Sequence, residues 1–441
     1  MPPTLLRAHL LHTPDSPFAG GALQAFDRGG LVFDDRDGTI LALGDADTLA
    51  ADYPGADTLD YRDAFVLPGF VDTHVHYPQV PIVGAMGLEL LDWLRERTLP
   101  EEARYADVAY ARDAARTFLR LLAGNGTTTA LVFGAHFADA QQVFFEEAEA
   151  SGLRITSGLN LADRNLRPEL EDTPDHHYQL SETLIRRWHG RGRLRYALTP
   201  RFSLSCSDGV LEAVGALLRA HPGVLMQTHL NESLAEIRTV AELFPEAIDY
   251  LATYERHGLV TPRSVFAHNV HVTDSELARL GEARAPIAHC PSSNMFIGSG
   301  LFAMKRHLSA RVRFGLGSDV GGGTGFSLFK EGLMAYQTQM LLREDGYPLG
   351  PAHLLYLATR AGADALGLGD EVGDFRVGKQ ADFVVVRPPA QSTLATTLRH
   401  SPSAEASLGA LFTLAREESV AAVYVGGRPL SGRERQDKSI G

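Results

Sequence analysis

The chain is 441 residues long, 44% hydrophobic and 22% charged, with a formal net charge of −13. So acidic a balance speaks against nucleic acid or an anionic membrane surface as a partner, and no apolar run approaches the roughly 20 residues that a membrane helix needs. The opening Met1-Pro2-Pro3-Thr4-Leu5-Leu6-Arg7 lacks the layout of a signal peptide. Two cysteines, Cys206 and Cys290, give no disulfide framework. A cytoplasmic protein with two small buried thiols is the expectation.

Residues 1–65 read as short strands and turns, with a hairpin formed by Leu31-Val32-Phe33, a turn at Asp37-Gly38 and the run Thr39 to Leu43. After Gly69 the rhythm changes to strand and helix in alternation. Candidate strands fall at 66–74, 128–134, 154–160, 194–201, 223–230, 264–268, 286–290 and 311–319, and Ala106 to Leu122 carries a helical apolar stripe. Eight such units in roughly 250 residues predict a (β/α)8 TIM-type barrel over 66–370, with a doubly wound open sheet as the competing pattern. Past about 370 the chain turns to β character again, at 381–386 and 420–425. The two ends, 1–65 and 371–441, are expected to pair into one small β-sandwich-like domain beside the barrel.

In such a barrel the carboxyl ends of the strands build the site, so the residues closing each run carry the chemistry. The first run, Phe65 to Asp72, empties into Thr73-His74-Val75-His76. On an extended segment His74 and His76 point to the same side, whereas on a helix they would stand about 200° apart. Strand five ends in His229, with Glu232 three residues later; strand six ends in His268, strand seven in His289 and strand eight in Asp319. Histidines with a carboxylate suit zinc, and ferrous iron accepts the same ligands. The remaining histidines, among them His12, His136, His177 and His307, fall on predicted helices, loops or the β-rich flanks and receive no role. Gly321-Gly322-Gly323 has no Lys-Ser/Thr after it and reads as a tight loop at the site rather than a phosphate cradle.

Together these segments resemble the amidohydrolase superfamily, and within it the guanine deaminases. The resemblance runs through Pro68 to Gln79, Asn125 to Ala130, Thr199-Pro200-Arg201-Phe202, Thr228 to Glu232, Cys290 to Asn294, Gly317 to Val320 and Gly378-Lys379-Gln380-Ala381-Asp382. It implies one zinc ion per subunit on His74, His76, His229 and Asp319, and a homodimer. Related barrels that hold two metals use a carboxylated lysine on strand four. Here the first lysine is Lys305, so a single ion is favoured. The implied reaction is hydrolytic deamination of guanine to xanthine and ammonia. Glu232 would move protons, with His268 and Asp319 orienting the water; His268 could instead be a fifth ligand. Substrate contacts fall to His76, Gln79, Arg201, Phe202, His229, Glu232 and Asp319. Gln79 offers a donor and an acceptor on one amide, and Arg201 offers only donors, which favours a carbonyl over an amine. The alternative is a related amidohydrolase acting on another nucleobase, a triazine or a cyclic amide.

Overall fold

Four strands open the chain: β1 (Thr4–His12), β2 (Gln24–Phe33), β3 (Ile40–Asp45) and β4 (Asp57–Pro68). The computed structural model describes residues 2–430. Next come β5 (Phe70–His76), β6 (Thr127–Phe133), β7 (Arg154–Gly158), β8 (Asn160–Leu161), β9 (Arg195–Pro200), β10 (Leu225–Leu230), β11 (Ser264–His268), β12 (Ile287–His289) and β13 (Phe314–Leu316). The described residues close with β14 (Phe383–Val386), β15 (Val420–Val425) and β16 (Arg428–Pro429).

Parallel strands β5, β6, β7, β9, β10, β11, β12 and β13 follow one another in a ring, with β8 paired to β9. The two ends of the ring meet through Thr73 Oγ1 donating to the Leu316 carbonyl at 2.8 Å and Asp319 N–H donating to the His74 carbonyl at 2.8 Å. This is the eight-stranded barrel, not the open sheet. Helices cover it for local reasons. Val108–Gly124 starts where the Asp107 side chain accepts the N–H groups of Ala109 and Tyr110, and it buries Ala111, Ala115, Phe118, Leu119 and Leu122 against the barrel. No helix among the described residues is long and apolar enough to cross a membrane.

The flanking sheet runs β16-β15-β14-β4-β1-β2-β3, so both chain ends build it. The expected hairpin is β2 with β3, Leu31 opposite Leu43. Its turn needs glycine at position 38: φ is +77°, and a Cβ there would lie 2.3 Å from the Gly426 backbone. A buried pair seats this sheet on the barrel. Arg154, at the head of β7, donates Nε–H to Asp382 at 2.6 Å, and Asp382 also accepts Gly426 N–H at 2.7 Å. Much of the Gly378 to Asp382 segment is therefore a fastening.

The sequence run 66–74 is two strands, which corrects its reading as one. Val66 and Leu67 pair with Val385 and Val384 in the flanking sheet, while Phe70 begins the barrel opposite Thr127. Both halves are buried, so the apolar run continues through the break and hides it. At the crossing, Gly69 N–H donates to the Asp382 carbonyl at 2.9 Å. A Cβ at Gly69 would stand 2.2 Å from Thr128 Oγ1 and 2.3 Å from its Cγ2. Gly69→Ala is expected to lower stability by about 1–3 kcal/mol, the usual cost of overpacking. Denaturant unfolding reads this, and an unmoved midpoint would show that Thr128 can swing aside freely.

Candidate active site

Alternation along β5 turns Asp72, His74 and His76 to one side of the strand, and all three are buried. His229 on β10, His268 closing β11 and Asp319 just past β13 arrive from across the barrel. Four residues at these strand ends hold positive φ: Asn231 (+50°), His268 (+70°), Asn269 (+50°) and Asp319 (+48°). Non-glycine residues adopt that region at a cost, and such outliers cluster where a side chain must be aimed.

The aim is tight. His74 Nε2 and His76 Nε2 lie 3.2 and 3.3 Å from Asp319 Oδ1, 3.2 Å from each other, and His229 Nε2 lies 3.3 Å from His76 Nε2. His268 Nε2 lies 3.8 Å from Asp319 Oδ2 and 3.5 Å from Glu232 Oε2. Hydrogen bonds on the far side of the rings set the tautomers. His229 donates Nδ1–H to the Arg201 carbonyl at 2.7 Å, and His268 donates Nδ1–H to Asn294 Oδ1 at 2.9 Å. Both Nε2 lone pairs therefore face the cluster. Phe133, at the end of β6, packs on His74, His76 and His229 with ring centroids 4.5–5.0 Å away.

Protonation follows from burial. It drives His76 down to about 4 and His229 well below the usual imidazole value, His229 being pushed further by its neighbouring rings. Asp319 goes the other way from most buried acids. Burial would raise it, but hydrogen bonds from His74 and His76 hold it well below the carboxylate range. Neutral imidazoles around an ionised carboxylate are the protonation states a divalent cation requires. Behind them Asp72 accepts the N–H groups of His74 and Ser318 at 3.2 and 3.0 Å and Ser318 Oγ–H at 2.5 Å, fixing the end of β13 against β5.

A narrow pocket opens on this cluster. Gln79, Arg201 and Phe202 line it with His76, His229, Glu232, His268 and Asp319, while Leu90, Trp93 and Ile297 supply an apolar wall. All the candidate residues except His74 thus border one cavity, and His74 sits at its floor beside Asp319. Glu232 is 3% exposed, unlike a helix-start glutamate in solvent. Burial, then the nearby Glu236 and Asp319 carboxylates, push it well above the usual acid range. The glycine loop behaves as expected: Gly322 lines the pocket and Gly321 N–H donates to Gln79 Oε1 at 3.2 Å.

Some of the histidines left without a role are not on the surface: His12, His136, His177 and His307 are buried. Three make interior bonds, such as His177 Nε2 with the Ala162 backbone at 2.9 Å and His307 Nδ1 with the Ala303 carbonyl at 2.9 Å. His136 matters more, because its Nε2 meets Glu102 Oε2 at 3.1 Å behind Arg201. It stands three residues past β6, so applying the strand-end rule with a short allowance would have found it. Glu102 and Asn294 carried no such signal. His289 closes β12 but stays out of the cluster, stacked on Phe302 at 4.3 Å. Cys206 and Cys290 are buried and unlinked, as expected.

Known proteins share this chain's sequence and architecture. The amidohydrolase family model matches residues 65–430. The chain is 56% identical over 437 residues to the probable guanine deaminase of Deinococcus radiodurans, covering 98% of this chain and 99% of that one. Its structure is similar to that of E. coli guanine deaminase, with a TM-score of 0.93 and 37% identity across 98% of this chain and 100% of the other. It is similar, too, to guanine deaminase from C. acetobutylicum with bound guanine in the active site, at a TM-score of 0.90 and 26% identity over 97% and 100% of the two chains. The family match begins in the last residues of β4 and runs through every barrel strand to the end of β16, so the chain belongs to the amidohydrolase family.

Proposed function

We propose that the protein hydrolyses guanine to xanthine and ammonia, using one divalent metal ion, zinc, held by His74, His76, His229 and Asp319. The observation that carries this reading is a single pocket that joins His76, His229 and Asp319, with His74 beside Asp319, to Glu232 and to a donor-rich wall of Gln79 and Arg201. Bound there, zinc supplies a Lewis acid that makes water nucleophilic near neutral pH. A probable guanine deaminase at 56% identity and a guanine deaminase at 42% support the substrate.

The residues divide the work. Water oxygen bonds to C2 of the base, and the proton it loses passes through Glu232 to a ring nitrogen. Glu232 then takes the remaining hydroxyl proton and gives it to the exocyclic amine, the C2–N bond breaks as the C2=O bond forms, and ammonia leaves with the bonding pair. Its environment suits the task, since burial raises its affinity for a proton, as a group that must both take and give one requires. His268 Nε2 has no hydrogen-bond partner of its own and faces both Glu232 and Asp319, a position from which to orient the attacking water.

Recognition rests on Arg201 and Gln79. Arg201 has five N–H donors and no acceptor, and Glu102 occupies only its Nη1 end. A donor fork prefers the C6 oxygen of guanine to the C6 amine of adenine. Gln79 keeps one N–H and one lone pair for the base. Phe202 stands ready to pack on the ring. Incubation with guanine is expected to shift the ultraviolet spectrum toward xanthine with one ammonia released per base. Adenine and cytosine should react at least about 10²-fold more slowly, as expected of a site built to hydrogen-bond its substrate. Faster turnover of either would transfer the reading to another nucleobase. We also propose a cytoplasmic homodimer, the compartment being consistent with two buried, unlinked thiols.

A further inference from the structure

Behind the pocket wall one carboxylate gathers four contacts. Glu102 sits in the short helix Leu99–Ala103, outside the barrel strands, and is 1% exposed. Its oxygens accept Gln79 Nε2–H at 2.9 Å, Arg201 Nη1–H at 3.0 and 2.8 Å, and His136 Nε2–H at 3.1 Å. The three partners come from the segments following β5, β9 and β6. Gln79 and Arg201 line the pocket, and Glu102 stands behind them.

We propose that Glu102 is a positioning residue that sets the preference for a 6-oxo purine, by holding Gln79 and Arg201 as one fixed array of donors and acceptors. This rests on the guanine reading above. An ionised carboxylate only accepts hydrogen bonds. It therefore forces Gln79 to turn its amide nitrogen inward toward Glu102 and its oxygen toward Gly321 N–H, 3.2 Å away. A side-chain amide can otherwise flip, which exchanges its donor and acceptor and inverts the pattern offered to the base. The same carboxylate is the counter-ion of Arg201, which is 2% exposed and could not stay buried and charged alone. Burial alone would raise Glu102, but Arg201, then His136 and Gln79, hold it well below the usual acid range, so the anion persists through neutral pH. A buried ion pair is seldom the most stable filling for such a space; pre-set recognition explains its presence.

The test is E102Q, which keeps the shape but offers a donor where only acceptors stood. KM for guanine is expected to rise about tenfold or more with kcat within about threefold, the pattern of lost binding rather than lost chemistry. The inhibition constant of 2-aminopurine, which has the C2 amine but no C6 oxygen, should move by less than about threefold. In an R201A background E102Q should add little, because residues acting as a unit are not additive. If E102Q does not fold, E102D should show the same pattern, more weakly. An unmoved guanine KM overturns the proposal. So does an equal weakening of guanine and 2-aminopurine, which would mark Glu102 as merely structural. Wild-type enzyme that releases no ammonia from guanine would overturn the substrate reading and this proposal together; wild-type turnover with an unmoved KM in the variants would overturn this proposal alone.

Discussion

Glu232→Gln is expected to keep its metal and its fold while losing turnover by on the order of 10²–10⁴-fold, the range that a positioned acid–base group contributes. The amide has the volume of the acid and none of its proton traffic. Local structure argues that the variant folds. Glu232 N–H and Ser233 N–H are both accepted by Glu236 Oε2, at 2.9 and 3.1 Å, and Ser233 completes a capping box at the head of the helix Leu234–Leu243. The backbone is thus held by Glu236, while the Glu232 side chain contributes one 3.4 Å bond from Ser299 Oγ–H. Burial and the neighbouring Glu236 and Asp319 carboxylates already favour the uncharged acid, so a neutral amide of the same shape should leave stability nearly unchanged. KM should change little, since the loss lies in the transition state. Ammonia release and zinc stoichiometry measured on one preparation decide the matter. Activity within tenfold of wild type would take the proton-carrying role away from Glu232.

What the sequence could show was whatever a strand presents at its own end. His74 and His76 are legible because alternation by two is local. His229, His268 and Asp319 are legible because each directly follows an apolar run, and the barrel rule sends those ends to one rim. Glu102 is invisible on the same terms. It lies among short helical turns between Leu90 and Ala106, where no apolar period marks which side faces the pocket, and its partners are 23 to 99 residues away. Asn294 is hidden for a similar reason, being one turn into a six-residue helix and defined only by its bond to His268. The break at Gly69 was lost because burial on both sides erased the change in polarity that normally separates strands. Pairwise contacts across the barrel, rather than local pattern, decide each of these.

Asp319→Asn tests the metal centre itself, and the expected losses are nearly complete. Asp319 supplies the only charge among the four proposed ligands, placed 3.2 and 3.3 Å from two imidazole nitrogens. Asparagine preserves the shape but offers a neutral oxygen or a repelling N–H₂, and three neutral imidazoles hold zinc less well without the carboxylate. Bound zinc should fall below about one-tenth per chain in the variant, and guanine turnover should fall with it. Stability supplies an independent reading. A ligand that binds only the folded state stabilises it by RT ln(1 + [L]/Kd), about 4 kcal/mol at a thousand times Kd. Wild-type protein should therefore lose several degrees of Tm when stripped by a chelator and regain them with zinc. Asp319→Asn should unfold near the stripped wild-type temperature whether or not chelator is present. Metal chemistry and folding stability are then separated in one pair of titrations: retention of stoichiometric zinc by the variant would remove Asp319 from the ligand set, and a wild-type Tm indifferent to chelation would argue against an ion at the centre of the histidine cluster.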